Sequence, residues 1–209
     1  MNNQLVNIDS GVRLSFIEIF RKPKLRIEIP IIQRDYAQGR KSAKKVRNKF
    51  LNALFEYLNE GKPNRDLDFV YGSINETDQY FNFVPLDGQQ RLTTLFLLHW
   101  YLSLYSEKSF EDFKSILSTS EKGRILSKFS YETRTSSKEF CDALINYGLN
   151  LKKLLPSDND VNNTISKTIR NKGWYFLSWD NDPTVDAMLN MLDSIHAKYS
   201  GYGNFYYKF

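Results

Sequence analysis

The residues Asp87-Gly88-Gln89-Gln90-Arg91 combine side chains that suit the binding of an anion, and they stand between two apolar stretches. Arg91 is a permanent cation in the first turn of a predicted helix, where the helix macrodipole disfavours positive charge by about 0.3–1 kcal/mol. A bound phosphate would remove that penalty, because the amides of residues 88–90 and the Arg91 guanidinium would all face it. Gly88 would let the phosphate approach the backbone closely. The stretch is therefore a candidate phosphate site.

Asp87 and Gln90 also fit a purely structural interpretation. Asp87 as the N-cap, with Gln90 three residues later, is an acidic variant of the capping box, which stabilises a helix start by roughly 1 kcal/mol. Asp87 repels a bare phosphate, so in a phosphate site it would cap the helix, hold Mg²⁺ or bind a ribose hydroxyl. The residues alone leave the cap and the phosphate site both open.

The elements around this stretch determine where it lies. From Leu92 to Tyr105 nearly every residue is apolar, which predicts a central, buried helix. Upstream, residues 68–74 and 80–84 predict a β-hairpin with its turn at 75–78, and the second strand leads to Asp87. Gly72 within the first strand indicates the close approach of a ligand or of another backbone, or a bulge.

The rest of the chain predicts an α+β fold. The strict alternation of Leu25–Ile29 is typical of a strand. Residues 41–58 show helical periodicity, with an apolar side formed by Val46, Phe50, Ala53, Leu54 and Tyr57. After Tyr105 the patterns are mostly helical. We expect residues 1–105 to form a small mixed sheet with helices, and residues 106–209 to form a mostly helical region.

Composition limits the protein classes to consider. The 209 residues carry a net charge of +5, and the basic surplus lies in the first third. A run of basic residues with no acid before Glu56 predicts either a solvated helix face or a contact to nucleic-acid phosphates. Its members are Arg40, Lys41, Lys44, Lys45, Arg47 and Lys49. The absence of a long apolar run predicts no membrane span, and the single cysteine favours the cytoplasm.

Several kinds of catalytic chemistry are missing from the sequence. Both histidines, His99 and His196, fall on apolar helix stripes, where a core role is the usual one. One cysteine excludes a His-Cys metal cluster. The sequence has no GxxxxGK[ST] loop, no GxGxxG turn and no paired-histidine nuclease motif.

Five segments together resemble the N-terminal domain of GmrSD-type modification-dependent restriction endonucleases. They are Ile29–Tyr36 (IPIIQRDY), Tyr71–Ile74 (YGSI), Leu86–Thr94 (LDGQQRLTT), Tyr131–Arg134 (YETR) and Asp182–Thr184 (DPT). The DGQQR block and the upstream IPxxQRxY block are the specific ones. The family usually has a tryptophan two residues after the position of Tyr36, where this chain has Gln38.

The resemblance implies a fold similar to ParB and sulfiredoxin that binds a nucleotide. It also implies nucleoside triphosphate hydrolysis coupled to the restriction of phage DNA with modified bases, with an HNH-type nuclease as the partner domain or subunit. GTP, ATP and CTP are not distinguished, and Mg²⁺ is the expected metal.

The resemblance also assigns roles to residues. Asp87, Gln90 and Arg91 would act in catalysis, with Asp87 as the candidate Mg²⁺ ligand and Arg91 balancing the charge on the transferred phosphoryl group. Tyr36 would stack on a base. The lysines at 41, 44 and 45 would contact duplex phosphates. The remaining nucleotide-binding residues would be Gln33, Arg34, Gly72, Gly88, Gln89, Thr93 and Thr94.

Two alternatives to an enzyme remain. One is a ParB-like module that holds a nucleotide or DNA without hydrolysing it. The other is an interaction domain in which the turn at Asp87 is only a helix cap.

Overall fold

A computed structural model describes residues 11–30, 35–60, 66–132, 134–151, 164–203 and 205. Seven α-helices are found among these residues. They are α1 (Phe16–Arg21), α2 (Lys44–Glu60), α3 (Gln89–Ser103), α4 (Glu107–Leu117), α5 (Thr135–Asn146), α6 (Ile165–Arg170) and α7 (Pro183–Tyr199). Short 3-10 helices cover Lys41–Ala43 and Leu177–Asn181. No helix in the described ranges is long and apolar enough to cross a membrane.

Six strands form two sheets. They are β1 (Leu25–Ile29), β2 (Gly72–Glu76), β3 (Phe81–Pro85), β4 (Ser118–Glu121), β5 (Arg124–Ser127) and β6 (Phe129–Tyr131). The larger sheet has the order β2-β3-β1-β6, with β1 parallel to both β3 and β6 and β2 antiparallel to β3. β4 and β5 form a separate antiparallel pair. The small mixed sheet and the helical C-terminal region confirm the predicted α+β class.

Helix α3 lies at the centre of the molecule. Every residue from Leu92 to Ser103 is buried, as the absence of a polar face predicts. Its side chains belong to one apolar core that includes Ile27 of β1, Phe129 of β6 and Leu192 of α7. β6 comes from the expected second region but pairs with β1 of the first. The division at residue 105 stays a prediction.

The hairpin before α3 is shifted from its predicted position. Its strands are Gly72–Glu76 and Phe81–Pro85, whereas the prediction was 68–74 and 80–84. The turn is closed by Thr77, whose amide and hydroxyl both donate to the Tyr80 carbonyl, at 2.8 and 3.0 Å. A turn at 75–78 is therefore wrong, and residues 68–71 lie beside the start of α3 instead of within the strand.

The buried side of α2 agrees only in part with the predicted one. Leu54 is buried and Phe50 and Tyr57 pack against the core, as predicted, but Val46 is 59% exposed. Arg47 turns inward because its guanidinium donates to the carbonyls of Gln38 and Arg40, at 3.1 and 3.0 Å. The lysines at 41, 44, 45 and 49 are exposed.

Candidate functional site

The N-terminus of α3 is formed by a glycine and has no side-chain cap. Gly88 is the N-cap residue in a left-handed conformation, with φ of 86°, which only glycine adopts at little cost. A Cβ there would also lie 2.7 Å from Cγ2 of Val70. The capping box of Asp87 and Gln90 is wrong, because the two side chains point to other partners.

Gln90 holds the loop at residues 35–38 against α3. Its Oε1 accepts from the amides of Ala37 and Gln38, at 2.7 and 3.1 Å, and its Nε2 donates to the carbonyl of Asp35 at 3.1 Å. Three hydrogen bonds from one amide side chain fix this loop at the helix start. Gln33 and Arg34, the two predicted loop residues, lie outside the described residues.

Arg91 is surrounded by oxygen atoms of the protein. Its guanidinium donates to the carbonyls of Leu67 and Phe69, at 2.8 and 2.9 Å. It also lies 3.1 Å from a carboxylate oxygen of Asp87 and 3.1 Å from one of Asp68. Because the side chain is 18% exposed, these partners enclose most of the guanidinium. Its charge is balanced within the protein, so its position alone does not call for a bound phosphate.

The two threonines of the motif are buried in hydrogen bonds. The Thr94 hydroxyl lies 2.7 Å from the Tyr36 hydroxyl and 2.7 Å from Oε1 of Gln38. The Thr93 hydroxyl donates to the Gln89 carbonyl at 3.0 Å and lies 2.8 Å from the Tyr131 hydroxyl. In this conformation both threonines join α3 to neighbouring segments and do not face a ligand.

Tyr36 lies in the core beneath the loop. Its side chain is 1% exposed, and burial raises the pKa of its hydroxyl above the ordinary value of a tyrosine. No face of the ring is open to a base here. Stacking on Tyr36 stays a prediction that requires the loop to move.

Gly72 and Gln89 have structural partners within the hairpin. A Cβ at Gly72 would collide with the carbonyl of Val84 on the paired strand. Of the three interpretations of Gly72, the close approach of another backbone is the one observed. The Gln89 amide is buried and donates to the Pro85 carbonyl at 2.7 Å.

An ion-pair network that sequence reasoning missed ties this loop to two other helices. The Asp35 carboxylate accepts from Arg40 at 2.7 Å and from Arg134. Arg134 also lies 3.7 Å from Asp182, the N-cap of α7, whose carboxylate accepts from the amide of Thr184. Arg134 and Asp182 are 48 residues apart, and nothing in their spacing indicates that the two side chains meet.

Four of the five segments singled out in the sequence therefore meet at the start of α3, and the fifth, at residues 182–184, joins them through Arg134. The loop after Pro30 contacts Gln90 and Thr94 through residues 35–38. The carbonyl of Tyr71 accepts from the amides of Leu86 and Asp87, at 2.8 and 3.2 Å. The segments at 131–134 and 182–184 join through Tyr131 and Arg134, as described above. Segments far apart in the sequence thus form one connected site.

The described residues contain no cluster of three or more histidine, cysteine or acidic side chains arranged to hold a metal. Two carboxylates, Asp68 and Asp87, meet at Arg91. His99 is fully buried and its Nδ1 lies 2.7 Å from the carbonyl of Leu95, which agrees with a core role.

Lys41, Lys44 and Lys45 are exposed on the 3-10 turn before α2 and on α2 itself. They form no ion pair with any of the described residues.

Comparison with known proteins identifies one family. The family described as "GmrSD restriction endonuclease, N-terminal domain" matches residues 16–205, which is nearly the whole chain. Neither the curated proteins nor the solved structures contain a significant match.

Proposed function

The chain belongs to the GmrSD restriction endonuclease N-terminal domain family, and we propose that it binds and hydrolyses a nucleoside triphosphate with Mg²⁺ within such a restriction system. The system would act on phage DNA with modified bases in the cytoplasm, and an HNH-type nuclease domain or subunit would cut the DNA. The chain itself would sense the modified DNA and regulate the nuclease. The single cysteine is in keeping with a reducing compartment.

The observation that carries this proposal is the convergence of four of the five matched segments at the start of α3. A 15-residue helix whose first turn has no side-chain cap presents backbone amides to an anion. Arg91 supplies a cation at the same place, and the loop held by Gln90 borders it. A purely structural helix start would not require four distant segments to meet there.

The residues present also fit a Mg²⁺-bound nucleotide. Asp68 and Asp87 offer carboxylate oxygens, which are the ligands that Mg²⁺ prefers. When bound, Mg²⁺ neutralises charge on the phosphates. Asp68 and Asp87 would then exchange Arg91 for the metal, and the Arg91 guanidinium would donate to phosphate oxygens in their place. The segment at residues 66–70 must move for this exchange, because its carbonyls hold Arg91.

The exposed lysines at 41, 44 and 45 would contact duplex phosphates. This contact predicts a DNA affinity that falls as the salt concentration rises, because each neutralised phosphate releases counterions.

Phosphate release from GTP, ATP and CTP with Mg²⁺, with and without modified DNA, tests the proposal. We expect one nucleotide to be hydrolysed and Arg91→Ala to abolish both binding and turnover. The matched control is Arg124→Ala, which removes an exposed arginine of β5. Binding without turnover would favour a ParB-like module that holds nucleotide only. Binding and turnover that survive Arg91→Ala would leave the helix start with a structural role alone.

A further inference from the structure

Five apolar side chains are exposed on β2 and on the residues that flank its hairpin. Phe69 is 83% exposed and Tyr71 is 61% exposed, and Val70, Ile74 and Leu86 are exposed as well. We call these five residues the edge strip. β2 is the terminal strand of the described sheet, so its outer backbone groups face away from β3. Exposed apolar patches of this kind on a folded domain mark interaction sites.

β2 has few of the features that keep sheet edges apart. Proteins protect such edges with charged side chains, proline, bulges, short strands or a covering helix. Residues 69–75 contain no charged residue and no proline, and β2 pairs with β3 in continuous register up to Glu76, its one charged residue. The edge before Glu76 is therefore open to a partner.

The charge around the edge strip selects what covers it. Residues 66–90 contain five acidic residues and no basic one. Asp66 is paired with Arg13, and Asp68 and Asp87 are paired with Arg91. Glu76 and Asp78, at the end of the hairpin, form no ion pair within the described part of the chain. Two copies of this edge facing each other would bring acids together, so the complementary surface must be basic.

The exposed side of α2 has that chemistry. Lys41, Lys44, Lys45 and Lys49 are exposed there without ion-pair partners among the described residues, and Val46 beside them is 59% exposed. We call these five residues the basic face. α2 packs on α7 and β2 packs on β3, so one molecule carries both surfaces on separate elements.

We propose that the edge strip of one copy of this chain docks on the basic face of a second copy. Glu76 and Asp78 pair with lysines of α2, and the apolar side chains of the strip cover Val46. The contact joins two different surfaces, so it is heterologous and each molecule has one of each kind. The proposal does not depend on nucleotide binding.

Sedimentation velocity over a range of protein concentrations, without DNA, tests the contact. We expect self-association that weakens as salt rises, since the charges lie at the surface. Glu76→Lys with Asp78→Lys reverses the charge beside the edge strip. Lys44→Glu with Lys45→Glu reverses the charge at two positions of the basic face. Each double variant should raise the dissociation constant by about tenfold or more. The control Lys108→Glu with Lys172→Glu makes the same charge change on other exposed residues and should leave the association unchanged.

Mixing the two double variants gives the sharpest result. The strip variant keeps an intact basic face, and the face variant keeps an intact strip. The reversed charges of the two variants also attract each other. The mixture should therefore associate, while each variant alone is monomeric. A wild-type chain that is monomeric throughout, association unaffected by either double variant, or a mixture that stays monomeric would each overturn the proposal.

Discussion

Arg91 is held by four oxygen-bearing groups, and one of them makes the role of this residue testable. The Asp68 side chain is 71% exposed, so solvent or another anion can replace it in the ion pair with Arg91. Asp68 has φ of 92°, a conformation that asparagine tolerates nearly as well as aspartate. Asp68→Asn therefore removes a charge beside Arg91 without forcing the backbone to change.

Asp68→Asn should strengthen nucleotide binding if Arg91 contacts phosphate. We expect a gain of about two- to fivefold, the scale of an exposed ion pair. Titration calorimetry with the nucleotide in the absence of Mg²⁺ would measure it, since Asp68 then competes only with phosphate. Asp186→Asn on α7, which loses an exposed pair with Arg170, is the control. An unchanged affinity together with a lower melting temperature would assign Arg91 to structure only.

The sequence predicted that Arg91 needs a negative partner, but it could not predict which one. Helix electrostatics give the need from the position of Arg91 alone. Asp87 lies four residues before Arg91, a spacing that indicates a contact. Asp68 contacts Arg91 only because of how the chain folds. The same limit applies to Arg134, whose partner Asp35 is distant in sequence.

At the scale of elements, the burial of His99 in α3 makes stability depend on pH. Burial lowers the pKa of His99 to about 4, from an ordinary value of 6.5. Between these values the unfolded chain binds a proton that the folded chain does not, so the free energy of unfolding decreases as the pH falls through this window. The pKa difference corresponds to about 3 kcal/mol.

His99→Phe should remove this pH dependence and keep the contact with the Phe16 ring, whose centroid lies 4.7 Å away. The measurement is the denaturant midpoint of both proteins between pH 4 and 7. If the two proteins lose stability in parallel as the pH falls, His99 is not the group responsible.

The loop at residues 35–40 depends on a glycine that lies against α7. A Cβ at Gly39 would collide with the carbonyl of Ala187. Gly39→Ala should therefore lower the free energy of unfolding by about 1–3 kcal/mol, as overpacking does. It should also weaken nucleotide binding, because the loop it displaces borders the start of α3. Gly173→Ala, where a Cβ would meet nothing within 4 Å, is the matched control for thermal unfolding and for binding.

The elements differ in how well the sequence predicts them. β1 alternates strictly and was placed correctly. α7 begins with the Asp-Pro pair that is typical of helix starts. Residues 118–121 are all polar and show no strand pattern, but they form β4, which Arg26 of β1 contacts through Thr119 and Glu121. The inward turn of Arg47 in α2 has the same kind of cause, because its guanidinium donates to the Gln38 carbonyl.

For the whole molecule, one surface serves two proposed contacts. The lysines at 41, 44 and 45 would bind duplex phosphates, and they belong to the basic face that receives the edge strip. Duplex DNA should therefore dissociate the self-associated chains, and the concentration of DNA required should rise with protein concentration. Sedimentation with a labelled duplex would show DNA-bound monomers. Assemblies that keep their size while bound to DNA would show that the two contacts use different residues.

The segment from Asp66 to Tyr71 takes part in both nucleotide binding and self-association as proposed above. Its carbonyls and Asp68 bind Arg91, while Phe69, Val70 and Tyr71 supply most of the edge strip. A nucleotide that releases Arg91 from these groups must shift the strip. A second copy bound to the strip must in turn hold these groups in place around Arg91. Thermodynamic reciprocity then makes each event weaken the other by the same factor. Through these six consecutive residues, the degree of self-association would thus depend on the nucleotide concentration.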